Sequence, residues 1–100
     1  THQMQPLLLC VTYTTKPGMR DKFIQEVRSS GVLDEILAEH GCLGYAYYCS
    51  ALEKDKILLV EKWDTEEHQK MHLTQPHMER LRSIKNRYIT DTLLEKSRLM

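Results

Sequence analysis

Two short runs, Leu7-Leu8-Leu9 and Ile57-Leu58-Leu59-Val60, carry apolar side chains at consecutive positions. A strand alternates its side chains between two faces, so a strand through either run offers apolar atoms to both sides of a sheet. Helices packed on one side leave the other side bare. In a chain of 100 residues that bare sheet would expose apolar area on the order of several hundred square ångströms, near the limit for a soluble monomer. A homodimer packed sheet to sheet is therefore expected.

The rest of the chain supplies neighbours for these strands. Leu7 to Thr15 is rich in apolar and β-branched residues and stops at the turn signal Lys16-Pro17-Gly18. From Met19 the period becomes helical, with Phe23, Ile24 and Val27 recurring on one side. Ser29-Ser30-Gly31 should kink or interrupt that helix. Leu33, Ile36, Leu37 and His40 then resume it, and Gly41 stands where a C′ glycine would end it. Leu43 to Ser50 reads as a strand, with Tyr45, Tyr47 and Cys49 on one face. The polar stretch Glu53-Lys54-Asp55-Lys56 reads as a hairpin loop, followed by a strand from Ile57 to Trp63. Asp64 and Glu67 have capping-box spacing, with Asp in the Ser/Thr place, and open a helix toward Leu73. Pro76 opens another helix, carrying Met78, Leu81 and Ile84 or Lys85, and Tyr88 to Leu94 supplies a strand. The order β-α-β-β-α-β predicts a ferredoxin-like α+β fold, an antiparallel sheet with its helices on one face. One domain over residues 1–100 is expected, with its core between about residues 7 and 94.

Charge and composition narrow the function. Fourteen basic and 14 acidic residues balance, leaving no field to hold nucleic acid or an anionic membrane. The apolar runs are too short to cross a bilayer, and Pro6 to Val11 lacks the charged start and small-residue cleavage site of a signal peptide. Cys10, Cys42 and Cys49 are odd in number and lack CxxC spacing, so three reduced thiols in a cytoplasmic protein are expected.

The residues able to carry chemistry cluster in the second half. His72 can take or give a proton near neutral pH at a cavity edge, or fill the helix–sheet core. It shares a helix face with His68 and Met71. Trp63 is a core anchor or a wall for a flat ligand. Tyr45 and Tyr47 could line the same wall with their hydroxyls. Glu61, two residues before Trp63, projects to the same face; if buried it needs a partner, with Lys85, Arg82 or a histidine available. His68-x-x-x-His72 with His77 nearby has the spacing of a metal pair, but Gln69 stands where HExxH needs its glutamate, so no metal site is expected. Gly41-x-x-Gly44 lacks phosphate-loop spacing, and Lys85-Asn86-Arg87 reads as a solvated helix end.

Taken in order, Gly41-Cys42-Leu43-Gly44-Tyr45, Glu61-Lys62-Trp63, His72 and Thr74-Gln75-Pro76-His77-Met78 resemble the antibiotic biosynthesis monooxygenase domain family. The resemblance covers about 90 residues, Leu7 to Leu94, and implies a dimeric α+β barrel of the quinol monooxygenase type. It also implies a histidine at His72, close to a cavity between sheet and helices. Trp63, Tyr45, Tyr47, Glu61 and His77 would then bind a small aromatic or hydrophobic ligand. Some members oxidise phenols or quinols with molecular oxygen and no metal, flavin or haem. A haem-degrading branch carries tryptophan at the place of His72 and histidine at that of Arg82, so this chain departs from it. The oxygenases carry asparagine where Leu59 stands. Another branch processes small phosphorylated sugars and would need cations such as Lys62, Arg80 or Arg82 turned inward. A dimer that binds a hydrophobic ligand without turnover also fits the resemblance.

Overall fold

A computed structural model describes residues 5–98. Strand β1 (Leu7–Thr15) is followed by helices α1 (Arg20–Ser29) and α2 (Val32–Leu37), then by strands β2 (Cys42–Cys49) and β3 (Lys56–Trp63). Helices α3 (Glu66–His72) and α4 (Met78–Tyr88) precede strand β4 (Ile89–Arg98). The four strands form one antiparallel sheet in the order β2-β3-β1-β4, the ferredoxin-like arrangement.

Burial alternates strictly along β1, so Leu7, Leu9, Val11, Tyr13 and Thr15 face inward. Phe23 and Val27 of α1, Val32 and Ile36 of α2, and Leu81 and Ile84 of α4 close over Val11, Tyr13, Ile57 and Leu59 to form the main core. Phe23 sits among three tyrosines, its ring centroid 6.3 Å from Tyr13, 6.0 Å from Tyr47 and 6.4 Å from Tyr88. Such tilted and edge-on contacts suit the quadrupoles of aromatic rings. The opposite face carries Leu8, Cys10, Ala46, Val60 and the exposed Tyr48, Leu58 and Leu93, with no helix over it. Among the described residues, no helix is long and apolar enough to cross a membrane.

Several boundaries differ from the sequence expectation, each for a local reason, whereas the break at Ser29-Ser30-Gly31 lies where it was expected. Gly31 adopts φ 78°, a left-handed turn, and interrupts the helical segment. The restart then buries Val32 and Ile36 and leaves Leu37 half exposed. Gly41 does not cap α2, which ends at Ala38. With φ 85° it lets the backbone come close to α3, accepting a hydrogen bond from Asp64 N at 2.9 Å. A Cβ there would collide with Asp64 and His68. The cap of α3 is Thr65, extended at φ −140°, ψ 159°, whose hydroxyl accepts from His68 N at 3.1 Å; the Asp64 carboxylate is instead engaged with His68 Nδ1. Finally α4 keeps Tyr88, and β4 runs on to Arg98 because it pairs with β1 down to Leu7.

Candidate active site

Strands β2 and β3 lay Tyr45, Tyr47, Glu61 and Trp63 on the helix-facing side, Tyr45 being directly opposite Glu61. Helix α3 adds His72. Its inward face is Gln69 and His72, one turn apart; Met71 points to solvent and His68 turns to Asp64. The imidazole of His72 is 1% exposed. It stacks on the Trp63 indole at 4.8 Å, tilted by 39°, with the Tyr45 ring 5.8 Å away.

The two ring nitrogens of His72 meet different neighbours. Nδ1 bonds Glu39, 2.9 Å from Oε2 and 3.1 Å from Oε1. Glu39 Oε2 also meets His77 Nε2 at 2.6 Å. An ionised carboxylate only accepts, so with Glu39 ionised these two ring nitrogens are the donors, and Nε2 of His72 is the ring nitrogen outside the Glu39 hydrogen bonds. That atom faces Glu61 Oε1 across 4.0 Å, too far for a hydrogen bond. The same Glu61 oxygen accepts from Trp63 Nε1 at 3.1 Å. Carboxylate, imidazole, carboxylate and indole thus form one connected interior network.

Burial sets the protonation of its surroundings. It pushes the Tyr13, Tyr45 and Tyr47 hydroxyls well above their ordinary range, so all three stay protonated. Among the described residues the buried Tyr47 hydroxyl has no hydrogen-bond partner; that of Tyr45 comes near it without bonding geometry. Burial also raises the Glu61 carboxyl, against the opposing effects of the Trp63 hydrogen bond and the His72 and Lys85 charges. Lys85 is lowered, again chiefly by burial, and its ammonium lies 5.7 Å over the Tyr13 ring. Lys85 is therefore not part of a solvated helix end; it continues the inward face of Leu81 and Ile84, while Asn86 and Arg87 are exposed.

The raised carboxyl of Glu61 has a measurable sign. Protonated Glu61 tolerates burial and ionised Glu61 does not, so its stabilising contribution is full below the unfolded value near 4.3 and is lost as pH rises through the folded one. Glu61→Gln keeps an acceptor for Trp63 Nε1 and cannot ionise. The variant should melt several degrees above the parent at pH 7, about 1 kcal/mol corresponding to roughly 4–8 °C in a domain of this size. The difference should vanish below about pH 4. Thermal scans across pH check this, and a variant that melts lower at every pH would contradict it.

Sequence reasoning missed Glu39 and Tyr13. Glu39 lies in the loop after α2, 33 positions from its histidine, and no spacing links the two. His68 pairs with Asp64 at 2.6 Å and stacks edge-on against His40, which holds the Asp64 carboxyl below the usual range, the His68 hydrogen bond being the main cause. Among the described residues, no group of three or more His, Cys, Asp or Glu side chains could hold a metal ion.

His72 meets no solvent in this arrangement. The opening nearest in chemistry is a cleft of about 310 Å³ lined by Tyr13, Arg82, Lys85, Asn86, Ile89 and Thr92. Larger depressions of about 440 and 480 Å³ lie elsewhere, along α1 beside Cys49 and on the outer face beside Tyr48 and Leu58. None of the three is lined by a member of the His72 network.

Known proteins share both the fold and the sequence pattern. A crystal structure of PA3566 from Pseudomonas aeruginosa superposes with a TM-score of 0.85 at 21% identity, over 100% of this chain and 99% of that one. A conserved protein from Methanosarcina mazei Go1 gives 0.85 at 19% identity, over 97% and 95%. At these identities the likeness is one of fold. In sequence, the protein of Escherichia coli (strain K12) described as "Probable quinol monooxygenase YgiN" is 31% identical over 72 residues, 64% of this chain and 69% of that protein. The family model for antibiotic biosynthesis monooxygenase matches residues 6–83, taking in β1 through most of α4 and with them Glu39, Glu61, Trp63, His72 and His77. The chain belongs to the antibiotic biosynthesis monooxygenase family.

Proposed function

We propose that this protein is a monooxygenase that oxidises a small phenol or quinol with molecular oxygen, using His72 as the proton acceptor. The observation that carries the reading is the polarity of the His72 ring: Nδ1 is spent on Glu39, and Nε2 faces inward among Trp63, Tyr45 and Glu61. An imidazole held in one tautomer, away from water, is a general base with its lone pair already aimed. Deprotonating a phenol there raises its electron density. The phenolate passes one electron to dioxygen, the radical pair combines, and loss of water leaves the quinone. The electrons come from the substrate, so the protein's part is to bind, orient and deprotonate. The unpartnered Tyr47 hydroxyl and the protonated Tyr45 offer donors for the substrate's second oxygen.

Oxygen uptake with a panel of hydroquinones, anthrones and naphthols tests this. Chelator-treated protein should form quinone at a rate above the spontaneous one, and His72→Gln should not. Tight binding with no oxygen uptake by any phenol in the panel would make the protein a ligand-binding module instead.

The working unit we propose is a homodimer. The uncovered sheet face carries Leu8, Cys10, Val60, Leu58, Tyr48 and Leu93, and packing two such faces would bury apolar area of the kind stable dimers use, roughly 800 Å² per partner. Sedimentation at micromolar concentration should give about twice the 11.8 kDa chain mass. A well-behaved monomer would overturn the assignment, and Leu58→Asp should dissociate the dimer.

A further inference from the structure

The cleft between α4 and β4 has an electrostatic character that the proton chemistry of His72 does not use. Its lining contains two cations, Arg82 and Lys85, and no acidic residue. Lys85 is more than half buried, and among the described residues its ammonium makes no hydrogen bond or ion pair; its neighbour is the face of Tyr13. Arg82 gives Nη2 to the Leu73 carbonyl at 2.7 Å. Its Nη1 forms an ion pair with Glu79 Oε1 at 3.5 Å, without hydrogen-bond geometry to any acceptor among the described residues. The two residues lie one helical turn apart; burial is the main effect disfavouring the Lys85 charge, the Glu61 carboxylate favours it, and Arg82 opposes it more weakly. Lys85 has Glu61 as a compensating charge and the half-exposed Arg82 has Glu79, but neither carboxylate lines the cleft, so the cleft wall itself presents only positive charge. An anion seated between the two cations would take up donors that Glu61 and Glu79 leave free. The amide of Asn86 and the hydroxyl of Thr92 offer further donors on the same walls, and Ile89 offers an apolar surface.

We infer that this cleft binds the acidic head group, carboxylate or phosphate, of a small organic molecule. The inference rests on the phenol-oxidising reading for its role: it names the class of substrate as a phenol that carries an acid, held by its head at Lys85 and Arg82. A cleft of about 310 Å³ is at the lower end of the size range of small-molecule sites. The binding itself stands without that reading.

Benzoate, phenyl phosphate and benzamide share a ring and differ in head group, so they separate charge from shape. Amide NMR titration of the protein should show saturable shifts at Lys85, Asn86 and Thr92 with benzoate or phenyl phosphate, and none with benzamide. Whichever anion binds more tightly identifies the head group. Lys85→Met, which keeps the aliphatic stem, should weaken anion binding by about 10- to 100-fold. The inference is overturned if benzamide shifts the same amides as strongly, if neither anion shifts them, or if Lys85→Met binds as the parent does. The parent comparison of benzoate with benzamide needs no variant and so is immune to misfolding. Benzoate and phenyl phosphate carry no oxidisable hydroxyl, so a failure of the oxidation reading leaves this result legible on its own.

Discussion

His72→Gln is expected to lower oxygen uptake by about 10²- to 10⁴-fold on any phenol the protein oxidises. Glutamine keeps a polar group of similar reach and an amide donor for Glu39, but it has no titratable lone pair to put where Nε2 stood. The loss should appear in kcat as well as in kcat/KM, because the base acts in the transition state more than in binding. The melting temperature should fall far less than in His72→Ala, which would leave the Glu39 carboxylate with His77 alone. Two results would redirect the assignment. If His72→Gln keeps its turnover and only melts lower, the imidazole is a core residue. If turnover survives in His72→Gln but is lost in Glu61→Gln, the proton acceptor is the raised carboxyl on the other side of the 4.0 Å gap.

The largest loss of stability is expected at Trp63. Its side chain is 0% exposed and packs with Leu7, Leu9 and Cys42 in a small cluster apart from the main core. Cutting it to alanine should cost about 3–5 kcal/mol through lost burial and the cavity left behind. It also removes the indole N–H from Glu61, leaving a buried carboxylate without that donor. At roughly 4–8 °C per kcal/mol, Trp63→Ala should melt tens of degrees lower or fail to fold. Trp63→Phe restores most of the ring but not the donor and should recover most of the loss. Denaturant unfolding of the pair measures both terms. A cost for Trp63→Ala below about 1 kcal/mol would mean the indole is a loosely packed cavity wall rather than an anchor.

The sequence carried the fold because its elements announce themselves through period. Leu7 to Thr15 alternates, Phe23 and Val27 recur at helical spacing, and turn residues punctuate each change, so the element order follows from local physics. The pairing of Glu61 with Trp63 was within reach for the same reason, since i and i+2 on a strand share a face. Glu39 was not. A loop carboxylate meets a helix histidine only after the chain has closed, and no local pattern marks it. Lys85 was obscured differently: the run Lys85-Asn86-Arg87 looks solvated as a block, yet helical rotation sends its first member inward and the other two outward. The cap of α3 falls one position later, on Thr65, while an equally plausible Asp64 is engaged with His68 Nδ1.

The central place of β1 has a consequence for how the protein is made. One edge of β1 pairs with β3 and the other with β4, so its second edge has no partner until Ile89–Arg98 has been synthesised. At the usual pace of translation, the stretch from Trp63 to Ile89 takes roughly 1–5 s to add, and β4 must then clear the ribosome tunnel. Throughout that interval the nascent chain presents an apolar strand with open backbone donors and acceptors, the kind of edge that recruits strands from other chains. Synthesis is thus a moment at which this small sheet is open to aggregation, and the demand for chaperone cover should track how slowly the codons between β3 and β4 are read.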